Sequence, residues 1–320
     1  MFVGSTRRKL LKLGAVAKGT TNPLTFQIPQ TGYLSKIFLS ITGAVAGTLS
    51  AQNALGFSSV VRRIRLQANN GISLMDLSGP GYHFLLRDHI DAYGDPVPWA
   101  NGRTAITATT FDVSMVLPVM INSRDTLGAV NLQNEETVVT LQVDFEDDAV
   151  VATGATVTAT VQPTIEIFTI PERQEDRLSL RTIHQILEDA RVISGAGQLD
   201  YALPRGNTYL YAGHMIGAGV SGSDLWTTAD LVVNQSDTLE AFTVQSQRLQ
   251  FGTSHGRDRL LGTVHYDFAG TSGLGMFSSL RDAINSQAVT ELLSRLNITG
   301  AVTLRTLRRQ LVEFSQQGKE

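Results

Sequence analysis

One stretch of this chain occurs twice. Residues 24–47 read LTFQIPQTGYLSKIFLSITGAVAG and residues 199–222 read LDYALPRGNTYLYAGHMIGAGVSG. The two align without gaps at an offset of 175, matching Leu24/Leu199, Phe26/Tyr201, Ile28/Leu203, Pro29/Pro204, Ile41/Ile216, Val45/Val220 and Gly47/Gly222. Later segments keep the same order. TVVTLQVDF from Thr137 resembles TELLSRLNI from Thr290 at an offset of 153, and GATVTATV from Gly154 resembles GAVTLRTL from Gly300 at 146. Falling offsets mean shorter loops in the second copy, where surface connections tolerate deletion.

The texture inside each copy is short runs rich in Val, Ile, Thr and aromatic residues, bounded by Gly, Pro, Asn and Asp, which is a strand pattern. In TVVTLQVDF, Val139, Leu141, Val143 and Phe145 fall on one face and Thr140, Gln142 and Asp144 on the other, as in a half-buried strand. ATVTATVQPTIEIFTI from Ala155 gives a second strand, with Pro163 placed as an edge or bulge residue would be. Ser179 to Ile193 breaks the texture: Leu180, Ile183, Ile186 or Leu187 and Ala190 recur at helical spacing, with Gly195 as a stop, predicting a connecting helix. Residues 286–296 and 304–314 suit either strand or helix.

These features predict an all-β chain of two tandem jelly-roll β-sandwiches joined by a short helix, with a basic N-terminal arm. The expected divisions are an arm over residues 1–22, a first jelly roll over 23–171, a linker with the helix over 172–198 and a second jelly roll over 199–320. Loops as long as GDPVPWANGRTAITATT from Gly94 favour jelly rolls over a pair of immunoglobulin-like sandwiches.

A chain of 320 residues with 42% hydrophobic content fills sizeable cores, and the absence of cysteine excludes disulfides and thiolate chemistry. Nowhere are there about 18 consecutive apolar residues, as a membrane-spanning helix needs. Charge is unevenly placed. Nine of the 26 basic residues precede the first acid, Asp76, leaving 17 basic against 29 acidic residues in the remainder. STRRKLLKL near the start resembles a twin-arginine export signal, but Lys12 and Lys18 interrupt its apolar part. A basic amphipathic arm fits better, with Leu10, Leu11, Leu13 and Val16 on one side and Arg7, Arg8, Lys9 and Lys12 on the other. Arg7, Arg8, Lys9, Lys12 and Lys18 are the residues expected to face an anionic surface, and the sandwiches are expected to fold without them.

Signals for chemistry are thin. GAGVSG, with Gly217, Gly219 and Gly222, has dinucleotide-binding spacing and Glu240 follows about 20 residues on, but the surrounding chain lacks alternating strands and helices. Glycines at a β bend explain it better, and no cofactor is expected. His83, Asp88, His89 and Asp91 offer imidazole and carboxylate groups, yet on a helix His83 and His89 face different ways; a short surface helix is the simpler reading, with no metal. No nucleophile elbow, P-loop or zincin motif is present, so no catalytic residue is expected and the chain is read as not an enzyme.

The paired openings at residues 24–47 and 199–222, the paired strands at Thr137 and Thr290 and the expected helix from Leu180 to Ile193 resemble the double jelly-roll major capsid proteins of tailless icosahedral viruses. That lineage includes tectiviruses, corticoviruses and the adenovirus hexon. The resemblance covers almost the whole chain. It implies a homotrimer whose six sandwiches form a pseudo-hexagonal tile, neighbouring capsid trimers and other virion proteins as partners, and an amino-terminal segment on the inner side near an internal membrane. It also implies location in the virion shell after assembly in the host cytoplasm, with no specific nucleic acid bound. The competing expectation is a carbohydrate-binding or carbohydrate-cleaving sandwich in which Trp99, Trp226 and tyrosines form a sugar platform; with two tryptophans and no evident carboxylate pair it is the weaker reading.

Overall fold

A computed structural model of the chain describes residues 7–19, 22–52, 55–69, 71–93, 110–121, 127–133, 136–169, 182–216, 224–256, 258–269 and 283–313. The chain divides into two compact units: Met1–Leu86, Asp95–Gln185 and Glu313–Glu320 form the first, Arg87–Gly94 and Ile186–Val312 the second. In chain order the first half carries β1 (Arg7–Lys12), β2 (Val16–Ala17), β3 (Leu24–Gln27), β4 (Tyr33–Gln52), β5 (Val61–Ala68), β6 (Ile72–Ser78), α1 (Gly79–Tyr93), β7 (Thr110–Asp112), β8 (Met115–Pro118), β9 (Val130–Asn131), β10 (Val139–Phe145), α2 (Asp148–Val151) and β11 (Ala152–Thr169). Then follow β12 (Thr182–Ile193), β13 (Gly197–Ala202), β14 (Thr208–Ile216), β15 (Trp226–Val233), β16 (Asp237–Thr243), α3 (Val244–His255), β17 (Thr263–Asp267), β18 (Ile284–Asn285), β19 (Leu292–Ile298) and β20 (Val302–Glu313).

Each unit has two sheets. In the first, one sheet runs β1-β11-β4-β7, with β8 and β9 also on β4, and the other contains β3-β10-β5-β6. Counting β7 to β9 as one broken strand, these are strands 1-8-3-6 and 2-7-4-5 of an eight-stranded jelly roll. The second unit repeats the order as β12-β20-β14-β17 and β13-β19-β15-β16.

The likeness reaches single residues. Leu141 lies opposite Phe26 and Leu66, and its counterpart Ser294 lies opposite Tyr201 and Leu231. The extra residue that bulges β5 beside Asp144/Phe145 has its equal in β15 between Trp226 and Thr228. A second bulge leaves Ser35 between paired Leu34 and Lys36 in β4, and Leu210 between Tyr209 and Tyr211 in β14. The freed carbonyl of Ser35 accepts the N–H groups of Val119 and Met120, and that of Leu210 those of Phe268 and Ala269. Bulges unpair one residue and re-aim the strand, so their recurrence marks a designed feature of both sheets. Asn69 and Asn234 sit at left-handed φ of 50° and 51° in equivalent hairpin turns. Each donates its N–H across, to Val138 O and Glu291 O, and its side-chain oxygen accepts from Val138 N and Thr290 N.

Alternation is legible where partners are apolar: β10 is buried at every odd position from Val139 to Phe145. Ile37, Leu39, Ile41, Ile64, Leu66, Val161 and Ile165 join it in the first core. The second core packs Tyr209, Ala212, Ile216, Trp226, Leu231, Leu296 and Leu304 between its sheets. Gly47, at φ +109° opposite the register shift at Thr153/Ala155, serves a bulge.

Two expectations are corrected. The described part of the expected helix, residues 182–193, is instead strand β12, the first strand of the second jelly roll. Its polar residues are buried against partners, which erases the period-2 pattern. His184 Nδ1 lies 3.2 Å from Val119 O, Gln185 donates to Ser73 O, and Glu188 pairs with Arg305. The basic arm is likewise a strand: β1 pairs with β11 from Arg7↔Thr169 to Lys12↔Thr164, and β2 continues along the same neighbour. Pro163 stands as expected of a bulge residue: on its side of β11 the ladder breaks and shifts register between Lys12↔Thr164 and Val16↔Val161, with its carbonyl accepting Leu13 N at 2.9 Å, while on the other side it stays paired with Leu39. The ambiguous segments 286–296 and 304–314 contribute β19 and β20. The pairing of β20 also moves one match of the repeat, since Ile41↔Val161 corresponds to Ile216↔Leu304, an offset of 143 in place of 146.

Candidate functional site

The buried histidines are structural. His214 is fully buried between the sheets of its unit, its Nδ1 2.9 Å from Thr306 Oγ1 on β20 and its Nε2 2.8 Å from Ser294 Oγ on β19. Burial pushes its pKa down to about 3, so it stays neutral and ties the two sheets together. His265 lies 2.6 Å from Tyr211 Oη and 2.8 Å from Thr263 Oγ1, and His83 lies 2.5 Å from Ser58 Oγ at the foot of α1. Among the described residues no group of three or more His, Cys, Asp or Glu side chains is placed to hold a metal. The side chains of Asp88, His89 and Asp91, the GAGVSG stretch and Trp99 lie outside the described residues. The next described element after β14 is strand β15, whereas a dinucleotide motif needs a helix there. Trp226 is buried, with Arg259 stacked 5.2 Å from its ring, and offers no sugar platform.

The five basic residues are not gathered on one face. In a strand Lys9 shares a face with Leu11, and Arg8 and Lys12 share the other with Leu10. Leu11 and Leu13 are half-buried whereas Leu10 is exposed, so the expected apolar side does not form. Arg8 Nε donates to Glu166, a carboxylate otherwise sealed in the sheet and also bonded by Ser35 Oγ at 3.0 Å, with Lys36 Nζ 3.6 Å away. Lys18 Nζ pairs with Asp148 Oδ1 at 2.5 Å. Lys9 and Lys12 are exposed, and Arg7 is placed by its pairing with Thr169 alone. Both β1 and β12 stand directly ahead of a copy of the repeated opening, and this position is the one sequence signal that relates them.

Opposite in charge is β16, whose sequence DTLEAFT holds two acids and no base. Glu240, the acid that the dinucleotide spacing required, lies on it. Burial, and then repulsion from Asp267, raises its carboxyl to about 7. An unfolded glutamate titrates near 4.3, so the folded state holds this proton more tightly and loses stability as pH rises between those values. Glu240→Gln is therefore expected to match the parent at pH 4 and to exceed it at pH 8 by about 1–2 kcal/mol, allowing for partial exposure. Urea unfolding at the two pH values measures this, and an equal difference at both would contradict it.

Neither a protein-family profile nor a curated protein sequence matches the chain. Solved structures do. The major capsid protein of Sulfolobus Turreted Icosahedral Virus superposes with a TM-score of 0.73 at 13% identity, covering 97% of each chain. The PBCV-1 virus capsid gives 0.66 at 10%, over 98% of this chain and 96% of the other. The major capsid protein of bacteriophage PM2 gives 0.56 at 11%, over 98% and 100%. This chain has a double jelly-roll fold similar to theirs. The double jelly roll is matched end to end in each case, so the duplication read from residues 24–47 and 199–222 organises the whole chain. At 10–13% identity what persists is the fold, since many different apolar sets fill the same sandwich.

Proposed function

We propose that this chain is a viral major capsid protein that assembles as a homotrimer and tiles an icosahedral shell. The observation that carries the reading is the end-to-end match, over 97% of both chains, between its two tandem sandwiches and a major capsid protein. Duplication serves this role directly: three copies of a two-sandwich chain supply six similar lobes, and a six-cornered tile packs a surface. The role is structural and needs no catalytic group. The site of action is the virion shell, with assembly in the host cytoplasm and with neighbouring trimers and other virion proteins as partners. Contact with an anionic internal membrane falls to whichever of the exposed Lys9 and Lys12, on opposite faces of β1, meets it, contributing about 1 kcal/mol at most and weakening as salt screens it.

Light scattering of the purified protein is expected to give three times 34.6 kDa. Electron microscopy is expected to show trimeric tiles that close into shells in virus-like preparations. A chain that stays monomeric at high concentration and forms no particles would remove this reading.

A further inference from the structure

The two jelly rolls differ at one kind of sheet edge. In the first unit β6 has a neighbour beyond β5: β12, whose leading residues Thr182–Gln185 belong to that unit and whose Gln185 side chain donates to Ser73 O at 2.7 Å. In the second unit the equivalent strand β16 ends its sheet, with no strand beyond it among the described residues. First strands differ in the complementary way. β12 is neighboured by both β20 and β6, whereas β1 is neighboured by β11 alone among the described residues. Among the described residues, one fifth-strand edge and one first-strand edge thus have no strand neighbour.

We propose that β1 of one copy pairs edge to edge with β16 of a neighbouring copy, making between chains the strand contact that β12 makes with β6. The proposal rests on the trimeric capsid reading and names the surface through which the copies join. Three observations support it. Open strand edges present unpaired N–H and C=O groups that recruit another strand. Because Leu13 N bonds Pro163 O, the alternation of an antiparallel ladder turns the N–H groups of Arg8, Leu10 and Lys12 away from β11. The charges are also complementary: RRKLLK carries four bases and no acid, whereas β16 carries the exposed acid Asp237 and no base, with Glu240 adding its charge above about pH 7. Each strand further exposes one large apolar side chain, Leu10 at 52% and Leu239 at 50%.

The chain has no cysteine, so introduced thiols report without background. Leu10→Cys and Leu239→Cys proteins, mixed, co-assembled and treated with a short bis-maleimide, are expected to give a cross-linked pair of chains. Leu10→Cys mixed with Leu249→Cys, whose thiol sits on α3, is expected to give none. Leu10→Pro removes one outward N–H and leaves the β11 ladder its bonds. It is expected to melt like the parent and to raise the trimer dissociation constant about tenfold. Trimers that neither cross-link at Leu10 and Leu239 nor weaken with Leu10→Pro would overturn the pairing and leave the capsid reading standing. A parent chain that never trimerises removes both.

Discussion

Deletion of residues 1–22 is expected to destabilise the first jelly roll by about 3–5 kcal/mol, the range for stranding a buried charge, with lost ladder hydrogen bonds adding to it. The sequence suggests a dispensable arm. The structure makes it the first strand of a sheet, with six residues of β1 in register on β11 and Lys18 N bonded to Ala159 O farther along. Its removal bares the edge of β11 and takes Arg8 from Glu166, which is 1% exposed and keeps only Ser35 and the more distant Lys36. Arg8→Ala alone is expected to cost about 1–2 kcal/mol, because the arginine is half exposed and the other partners remain. Chemical unfolding of the truncated, Arg8→Ala and parent proteins separates the two contributions. Equal midpoints for all three would show that β1 adds nothing to the sheet.

In the second unit the largest single effect is expected at Arg259. Its side chain is wholly buried, sends Nη1 and Nη2 to the two oxygens of Asp224 at 2.8 and 2.7 Å, bonds the carbonyls of Leu260 and Thr263, and lies over Trp226. Asp224 also accepts Gly262 N at 2.8 Å, so one ion pair fixes the turn that leads into β17. Arg259→Ala leaves a carboxylate, two carbonyls and a cavity, and is expected to cost about 3–5 kcal/mol. Asp224→Ala strands the guanidinium and is expected to cost a similar amount, while the double variant costs much less than the sum. Burial alone would raise the Asp224 carboxyl, but Arg259 and the Gly262 N–H outweigh it and hold the carboxyl below its usual value. Its contribution is therefore present above the unfolded value near 3.9 and lost as pH falls through the lower folded one. Additive losses in the double-mutant cycle would refute the coupling.

Residues 24–47, 137–145, 199–222 and 290–298 determined the duplication and its order without any structure, because apolar residues at strand spacing must share a buried face wherever the strand lies. The alternation of Val139, Leu141, Val143 and Phe145 needed no neighbour to be legible. The identity of β1 and β12 was decided only by tertiary structure. Both carry charged or polar residues where a strand pattern wants apolar ones, and those residues are tolerable only because Glu166 meets Arg8, and Arg305 and Arg308 meet Glu188 and Asp189. Buried Arg308, Arg309 and Gln310 blurred β20 in the same way. A local window records that such a residue is polar; which distant side chain satisfies it, and so whether the segment closes a sheet or lies free, depends on partners that only the folded chain brings together.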